Sequence, residues 1–359
     1  MATKSKFSDV LSMKAKRFLA LILALVMALS LVACGDSGKT PAADGDSNGG
    51  GDSSFPKMTW TAATSGAEGS NFDVGLEKFS ELLQEKTNGA VKLDIYCSDQ
   101  LTNGSTADSV QACMDGTIDV TFQADGIWGN FDTVFNIPNL PFLFDSYDDV
   151  DSKLINGEGG KYLMKAMEDK YNVKCLGIGE NGFRYLTNRK HPVKTPDDLH
   201  DLKLRIGGAP ILIATYESWG VDYTTAGWAE VYTGLQTKLY DGQENPIAVA
   251  DASSIQEVQN YVTAWTANYG IMFMVINGDL YNSLSDELKA IVDECAKEAC
   301  AYQVQYTRDE CEAALQRWVD DYGIEVYEMT PENAELFRSK ALKVYDKYTD
   351  YQQLIDMLK

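Results

Sequence analysis

Leu202-Lys203-Leu204-Arg205 and Asp241-Gly242-Gln243-Glu244-Asn245-Pro246 are the two phrases that decide how this chain is read. Lys203-Leu204-Arg205-Ile206 alternates polar and apolar residues and reads as a short strand, with Arg205 near its C-terminal end. Ligands of open α/β sheets bind outside the carboxyl ends of strands, so an arginine there is a candidate anion contact. Its guanidinium is permanently charged and presents a planar fork that meets a carboxylate through two parallel hydrogen bonds. The residues alone leave a second reading open, an arginine paired with a structural Asp or Glu. Asn245 precedes Pro246, whose ring pushes it toward extended geometry. Its amide then projects from a strand end, where it can both donate and accept.

On either side of these phrases the pattern is that of alternating strands and helices. Met58 to Ala63 reads as a strand, and Asn71 to Thr87 as a helix with Val74, Phe79, Leu82 and Leu83 at helical spacing, stopped by Gly89. Val91, Leu93 and Ile95 alternate with polar residues in a second strand; Ser105 to Met114 is helical, and Val120-Thr121-Phe122 is a third strand. This β-α-β-α-β rhythm predicts parallel strands joined by right-handed crossovers. Thr195-Pro196-Asp197-Asp198 predicts a helix start, with Thr as cap, Pro in the first position and acids in the first turn. Ser285 to Tyr322 keeps a helical pattern with no proline and predicts one long helix. The residues by themselves give two α/β halves.

The N-terminal stretch is excluded from fold reasoning. Lys14, Lys16 and Arg17 precede an uncharged run from Phe18 to Ala33. As a helix that run is roughly 24 Å long, short of the roughly 30 Å hydrocarbon core of a bilayer. It fits a signal segment over residues 1–33, and Met13-Lys14-Ala15-Lys16-Arg17 competes with Met1 as its true start. Leu31-Val32-Ala33-Cys34 resembles a bacterial lipobox, which implies lipidation of Cys34; an ordinary cleaved signal and an uncleaved anchor are the alternatives. Residues 34–57 are rich in Gly, Ser and Asp, cannot bury enough apolar surface to offset ordering, and read as a flexible tether. The net charge of −22 argues against nucleic acid, since no basic stripe exists to neutralise phosphates. It does not exclude an anionic ligand, because surface carboxylates beyond about 8 Å are screened at physiological salt. Besides Cys34, the cysteines are Cys97, Cys113, Cys175, Cys295, Cys300 and Cys311. They contain no Cys-x-x-Cys; buried free thiols are expected, with a Cys97–Cys113 bridge as the alternative.

The two opening phrases, the intervening Trp228-Ala229-Glu230-Val231-Tyr232-Thr233-Gly234-Leu235-Gln236, Arg184-Tyr185-Leu186-Thr187, Pro192-Val193-Lys194-Thr195-Pro196, Leu140-Pro141-Phe142 and Gly116-Thr117-Ile118-Asp119 together resemble the extracytoplasmic solute receptors of TRAP transporters, the DctP type. The resemblance runs over roughly residues 58 to 350. It implies a two-lobed, periplasmic-binding-protein-like α/β fold with a hinge and a long helix spanning both lobes. Lobe I would comprise 58–181 plus 271–310, and lobe II 182–270 plus 311–359. It implies a transport receptor rather than an enzyme, with no cofactor and no metal, exported and held at the membrane through Cys34. Its partners would be a small organic carboxylate and the TRAP membrane permease subunits. By the same resemblance Arg205 is the carboxylate clamp, Arg184 a second arginine on that carboxylate, Asn245 a ligand contact and Trp228 an aromatic cover. Glu244 is expected to be structural. Asp125 and Glu68, on first-lobe loops facing the cleft, are expected to accept hydrogen bonds from ligand hydroxyls. Where the family often shows Gln-Leu-Gly, this chain has Gln100-Leu101-Thr102-Asn103-Gly104, so the ligand stays open among C4-dicarboxylates, sugar acids and oxo-acids.

Gly177-x-Gly179-x-x-Gly182 matches a dinucleotide fingerprint in letters, but Phe183-Arg184-Tyr185-Leu186 behind it is strand-like, not the helix that fingerprint needs. His191 and His200 are the only histidines, and no nucleophile triad suggests itself. Asp145, Asp148, Asp149 and Asp151 read as solvated helix starts. An ABC-type solute-binding lipoprotein and, further off, an exported two-lobed enzyme are the competing readings.

Overall fold

The computed structural model describes residues 55–359; the signal segment, Cys34 and most of the tether lie outside them. The first half follows the expected rhythm. Strand β1 (Met58–Ala63) leads into helix α1 (Asn71–Lys86), β2 (Val91–Tyr96), α2 (Thr106–Met114) and β3 (Val120–Ala124). β1 lies between β2 and β3 and is parallel to both. Phe79, Leu82 and Leu83 of α1 pack on Trp60, Val91 and Leu93, so the helical stripe and the strand face read from sequence meet. The chain continues through α3 (Glu158–Lys170) into β4 (Val173–Phe183), crosses at Arg184, and enters β5 (Tyr185–Asn188).

Beyond the crossing the chain forms β6 (Lys203–Ile206), α4 (Pro210–Trp219), β7 (Asp222–Thr225), β8 (Gly242–Asn245) and β9 (Tyr261–Ala264). It then returns as β10 (Tyr269–Asn277), and α5 (Asp286–Tyr322), β11 (Glu325–Glu328), α6 (Pro331–Tyr345) and α7 (Gln352–Leu358) complete it. One sheet has the order β2-β1-β3-β10-β4, the other β11-β9-β5-β8-β6-β7. β10 runs antiparallel to both β3 and β4, which the rhythm did not signal. The physical reason is that β10 arrives from the other sheet, so no helical crossover sets its direction. Tyr269 pairs with Phe183 and Gly270 with Gly182, so the outgoing and returning strands lie side by side where the lobes join. Gly182 has φ +114°, a conformation that a side chain strongly disfavours.

Helix α5 joins both lobes. Ser285 caps its start and Gly323, at φ +66°, ends it. Val292, Cys295, Ala296 and Ala299 pack under the first sheet, while Ala314 and Trp318 belong to the core of the second. Between these halves Arg308 donates from Nε to Glu180 at 2.8 Å and from both terminal nitrogens to Asp151, at 2.9 and 2.6 Å. Asp151, expected as a solvated helix start, is therefore an ion-pair partner of the long helix. Asp145 likewise pairs with Arg338 at 2.6 Å.

The Thr195 start is realised as a capping box with Asp198, but the helix is one 3-10 turn, Pro196–Leu199, because the chain must already enter β6 at Lys203. The tail expected in lobe II, 311–359, is divided. α6 packs on α4, with Trp219 Nε1 donating to Phe337 O at 3.0 Å. α7 instead lays Leu354, Ile355 and Leu358 into the core that holds Leu163 and Met167 of α3. Cys97, Cys113, Cys175, Cys295, Cys300 and Cys311 are all free, so the Cys97–Cys113 bridge is not formed. The dinucleotide-like glycines lie within β4 and serve packing. A Cβ at Gly179 would come within 2.4 Å of Phe122, and one at Gly177 within 2.7 Å of Cys300 Sγ. Among the described residues no group of His, Cys, Asp and Glu could hold a metal ion, and no helix is long and apolar enough to cross a membrane.

Candidate functional site

A cavity of about 510 Å³ opens between the two sheets. Arg184, Arg205, Ala226, Trp228 and Asn245 line its second-lobe side. Ser70, Asn71, Asp125, Asn139 and Asn181 line the other. Five of the six ligand-contact residues expected from sequence are thus brought to one space. Glu68 is exposed and is not among the lining residues.

Arg205 sits on β6 opposite Gln243 of β8 and is 6 % exposed. Its Nε and Nη2 both donate to the carbonyl of Ala226, at 3.0 and 2.6 Å, and its guanidinium lies 5.6 Å from the centroid of the Trp228 ring. Among the described residues no carboxylate lies within ion-pair distance of it. Burial pulls its pKa down to about 10; the like charge of Arg184 adds to that and the charge of Glu244 opposes it. The group therefore stays cationic at neutral pH while lacking a counter-charge of its own, which is an electrostatic demand for an anion.

Arg184 is differently placed. It sits between β4 and β5, and Tyr185 beside it pairs with Asn245 across the β5–β8 ladder. Its Nε donates to Glu244 Oε2, and its Nη2 to Glu244 Oε1 at 3.1 Å and to Asn245 Oδ1 at 2.8 Å. Burial lowers its pKa, but the Glu244 carboxylate more than offsets this. Glu244 also accepts from Gly207 N at 3.0 Å, so it fixes the strand end beside Arg205. Asn245 Nδ2 donates to Gln243 Oε1 at 3.0 Å. The Arg-Glu-Asn-Gln chain is a buried, mutually satisfied network, and the structural role expected for Glu244 is to neutralise Arg184. Trp228 is half-buried, with Nε1 donating to Ser253 Oγ at 3.1 Å; it lines the cavity and also packs against the second-lobe core.

On the first-lobe side Asp125 follows β3 and accepts a short hydrogen bond from Asn139 Nδ2. Burial raises its pKa to about 7, only partly opposed by the Ile271 backbone and the charge of Arg184. Because the folded value lies above the unfolded one, the associated stability is fully present below about pH 4 and is lost as pH rises through about 7. At 1.36 kcal/mol per unit the ceiling is on the order of 4 kcal/mol. Asp125→Asn is therefore expected to gain stability on wild type between pH 5 and pH 8. Urea midpoints at the two pH values check this, and parallel profiles for the two proteins would refute it.

Ser70, Asn71, Asn139 and Asn181 were not singled out in the sequence. Ser70 and Asn71 mark the start of α1, Asn139 lies beside the Leu140-Pro141-Phe142 element, and Asn181 precedes the crossing.

Residues 62–351 match the family described as DctP, bacterial extracellular solute-binding protein, family 7. The chain belongs to this family. As a family 7 solute-binding protein it is 33 % identical over 253 residues to the 2,3-diketo-L-gulonate-binding periplasmic protein of Escherichia coli strain K12, covering 70 % of this chain and 76 % of that one. It is 27 % identical over 277 residues to the C4-dicarboxylate-binding periplasmic protein DctP of Rhodobacter capsulatus, with 77 % and 82 % covered. The crystal structure of a TRAP periplasmic solute-binding protein from a Sulfitobacter species with bound β-D-galacturonate superimposes with a TM-score of 0.76. The identity there is 27 %, over 83 % of this chain and 98 % of that one. The family is a transport family of extracytoplasmic solute-binding proteins, and the two-lobed fold is shared with it.

Proposed function

We propose that this family 7 protein is the receptor of a TRAP uptake system and captures a small organic acid anion, with Arg205 as the carboxylate clamp. One observation carries the reading: Arg205 is a buried cation on the cavity wall with no carboxylate of its own among the described residues. A ligand carboxylate supplies the missing charge and accepts from the nitrogens not engaged by Ala226. Arg184 and Asn245 back this contact as a preorganised pair, Trp228 covers the ligand, and Asp125 meets it from lobe I. Lobe I comprises 58–181 and 271–310 in this reading. It closes on lobe II about the crossing at Gly182 to Tyr185, its return at Ala264 to Tyr269, and the middle of α5. Closure excludes water, which strengthens the ion pair, and it proceeds only as far as the ligand prefers the closed state. The closed receptor docks on membrane permease subunits, while a lipidated Cys34, outside the described residues, keeps it near them.

The direct experiment is a thermal-shift screen with small carboxylates against neutral and cationic solutes. An anion present at about 100 times its dissociation constant should stabilise the receptor by about 2.7 kcal/mol. A response to neutral or cationic solutes alone would remove the clamp from the mechanism.

A further inference from the structure

We infer that the cavity selects a monocarboxylate carrying several hydroxyl groups over a dicarboxylate, and that Asp125 makes the distinction. The inference rests on the receptor reading above and specifies its substrate class.

Among the described residues the ionisable side chains on the cavity wall are three: Arg205, Arg184 and Asp125, the last anionic above about pH 7. Arg184 is already matched by Glu244, so one cation is available for one carboxylate. With that carboxylate on Arg205, the far end of the ligand meets the first lobe, where the lining holds a carboxyl side chain and, among the described residues, no cation. A second carboxylate there would lie near Asp125 without a counter-charge. The start of α1 does not supply one, because its N-terminal dipole is already met by Asp73, which accepts from Gly69 N at 2.8 Å.

The hydrogen-bonding character of that wall points the same way. Ser70 Oγ, Asn71 Oδ1 and Asn181 Oδ1 are buried and have no hydrogen-bond partner among the described residues. Such atoms are costly unless a donor reaches them. The two amide oxygens are acceptors, as is the Asp125 carboxylate when ionised; of these groups only the Ser70 hydroxyl can then also donate. A carboxylate has no proton to offer them. Hydroxyl groups have one each, and can accept in turn from Asn139 or Asn181 amides. An acceptor-rich wall opposite a single unmatched guanidinium is the complement of a hydroxylated monoacid.

Calorimetry at pH 8, where Asp125 is mainly ionised, on the mature receptor with matched pairs tests this. D-erythronate is set against succinate, which has the same number of carbons, and D-galacturonate against galactarate; butyrate serves as the acid without hydroxyls. In each pair the monocarboxylate should bind at least about tenfold more tightly, and erythronate should exceed butyrate by a similar factor. Asp125→Asn should shrink the ratio in both pairs, because the repelling charge is gone. Asn181→Leu should weaken erythronate by a clearly larger factor than it changes butyrate. Equal or tighter binding of either dicarboxylate by wild type overturns the inference and leaves the receptor reading standing. An unchanged ratio in Asp125→Asn removes Asp125 as the discriminator. If none of the five binds, the inference fails; a thermal shift with any other carboxylate then preserves the receptor reading, and none at all ends both.

Discussion

Replacing Arg205 with alanine is expected to abolish micromolar ligand binding without unfolding the protein. A buried charge pair that loses one partner costs about 3–5 kcal/mol, largely because the other charge is left stranded. At 1.4 kcal/mol per decade the loss is on the order of 100- to 3000-fold in affinity. Arg205→Lys should fail almost as badly. The native guanidinium holds the Ala226 carbonyl with Nε and Nη2 and still has donors to spare. An ammonium is a point charge that cannot hold that carbonyl and grip a carboxylate in a fork at once. Stability should move the other way from affinity. Arg205 has no ion-pair partner among the described residues, so removing it strands no protein carboxylate. Arg205→Met, which keeps an apolar stem, should match or exceed wild-type stability in urea. Near-normal calorimetric affinity in the Ala or Lys variant would sink the clamp. A collapse of the circular dichroism signal would instead make Arg205 a structural residue.

How much of this was legible follows from which interactions are local in sequence. The strand around Arg205, the capping box at Thr195 and the proline-free run of the long helix are written in consecutive residues, and all three are present. The helix after Thr195 stops after one turn because a strand begins four residues past its end, a tertiary limit that propensity does not carry. Arg184 could be read as basic and near the crossing, but not as neutralised, since Glu244 lies on a different strand and reaches it only through the β5–β8 pairing. Asn71, Asn139 and Asn181 are common amides in unremarkable contexts. They converge because the start of one helix, a 3-10 segment and a strand end meet at the cavity. Asp151 was legible as an acid after a helix start; its partner Arg308 is far along the chain, on the helix that ties the lobes together.

Glu244→Gln should therefore be among the most damaging single substitutions in the second lobe, although it preserves size and shape. Glu244 is fully buried and Arg184 nearly so. Native Glu244 takes two Arg184 nitrogens on its carboxylate and the Gly207 N–H besides. Glutamine removes the charge and turns one acceptor into a donor facing the guanidinium. Arg184 is left with an uncompensated charge, for which about 3–5 kcal/mol of stability loss is the usual scale. Its remaining contact with Asn245 Oδ1, at 2.8 Å, supplies a dipole and no counter-charge. Arg184→Met should cost a comparable amount by stranding Glu244 instead. The two variants combined, Arg184→Met with Glu244→Gln, should cost clearly less than their sum, because neither charge then remains to be solvated. Urea unfolding of the two single variants and the double measures this coupling. Additive losses, or a Glu244→Gln protein within about 0.5 kcal/mol of wild type, the range of surface changes, would mean that water reaches Arg184 and that the pair is not the dry element supporting the cavity wall.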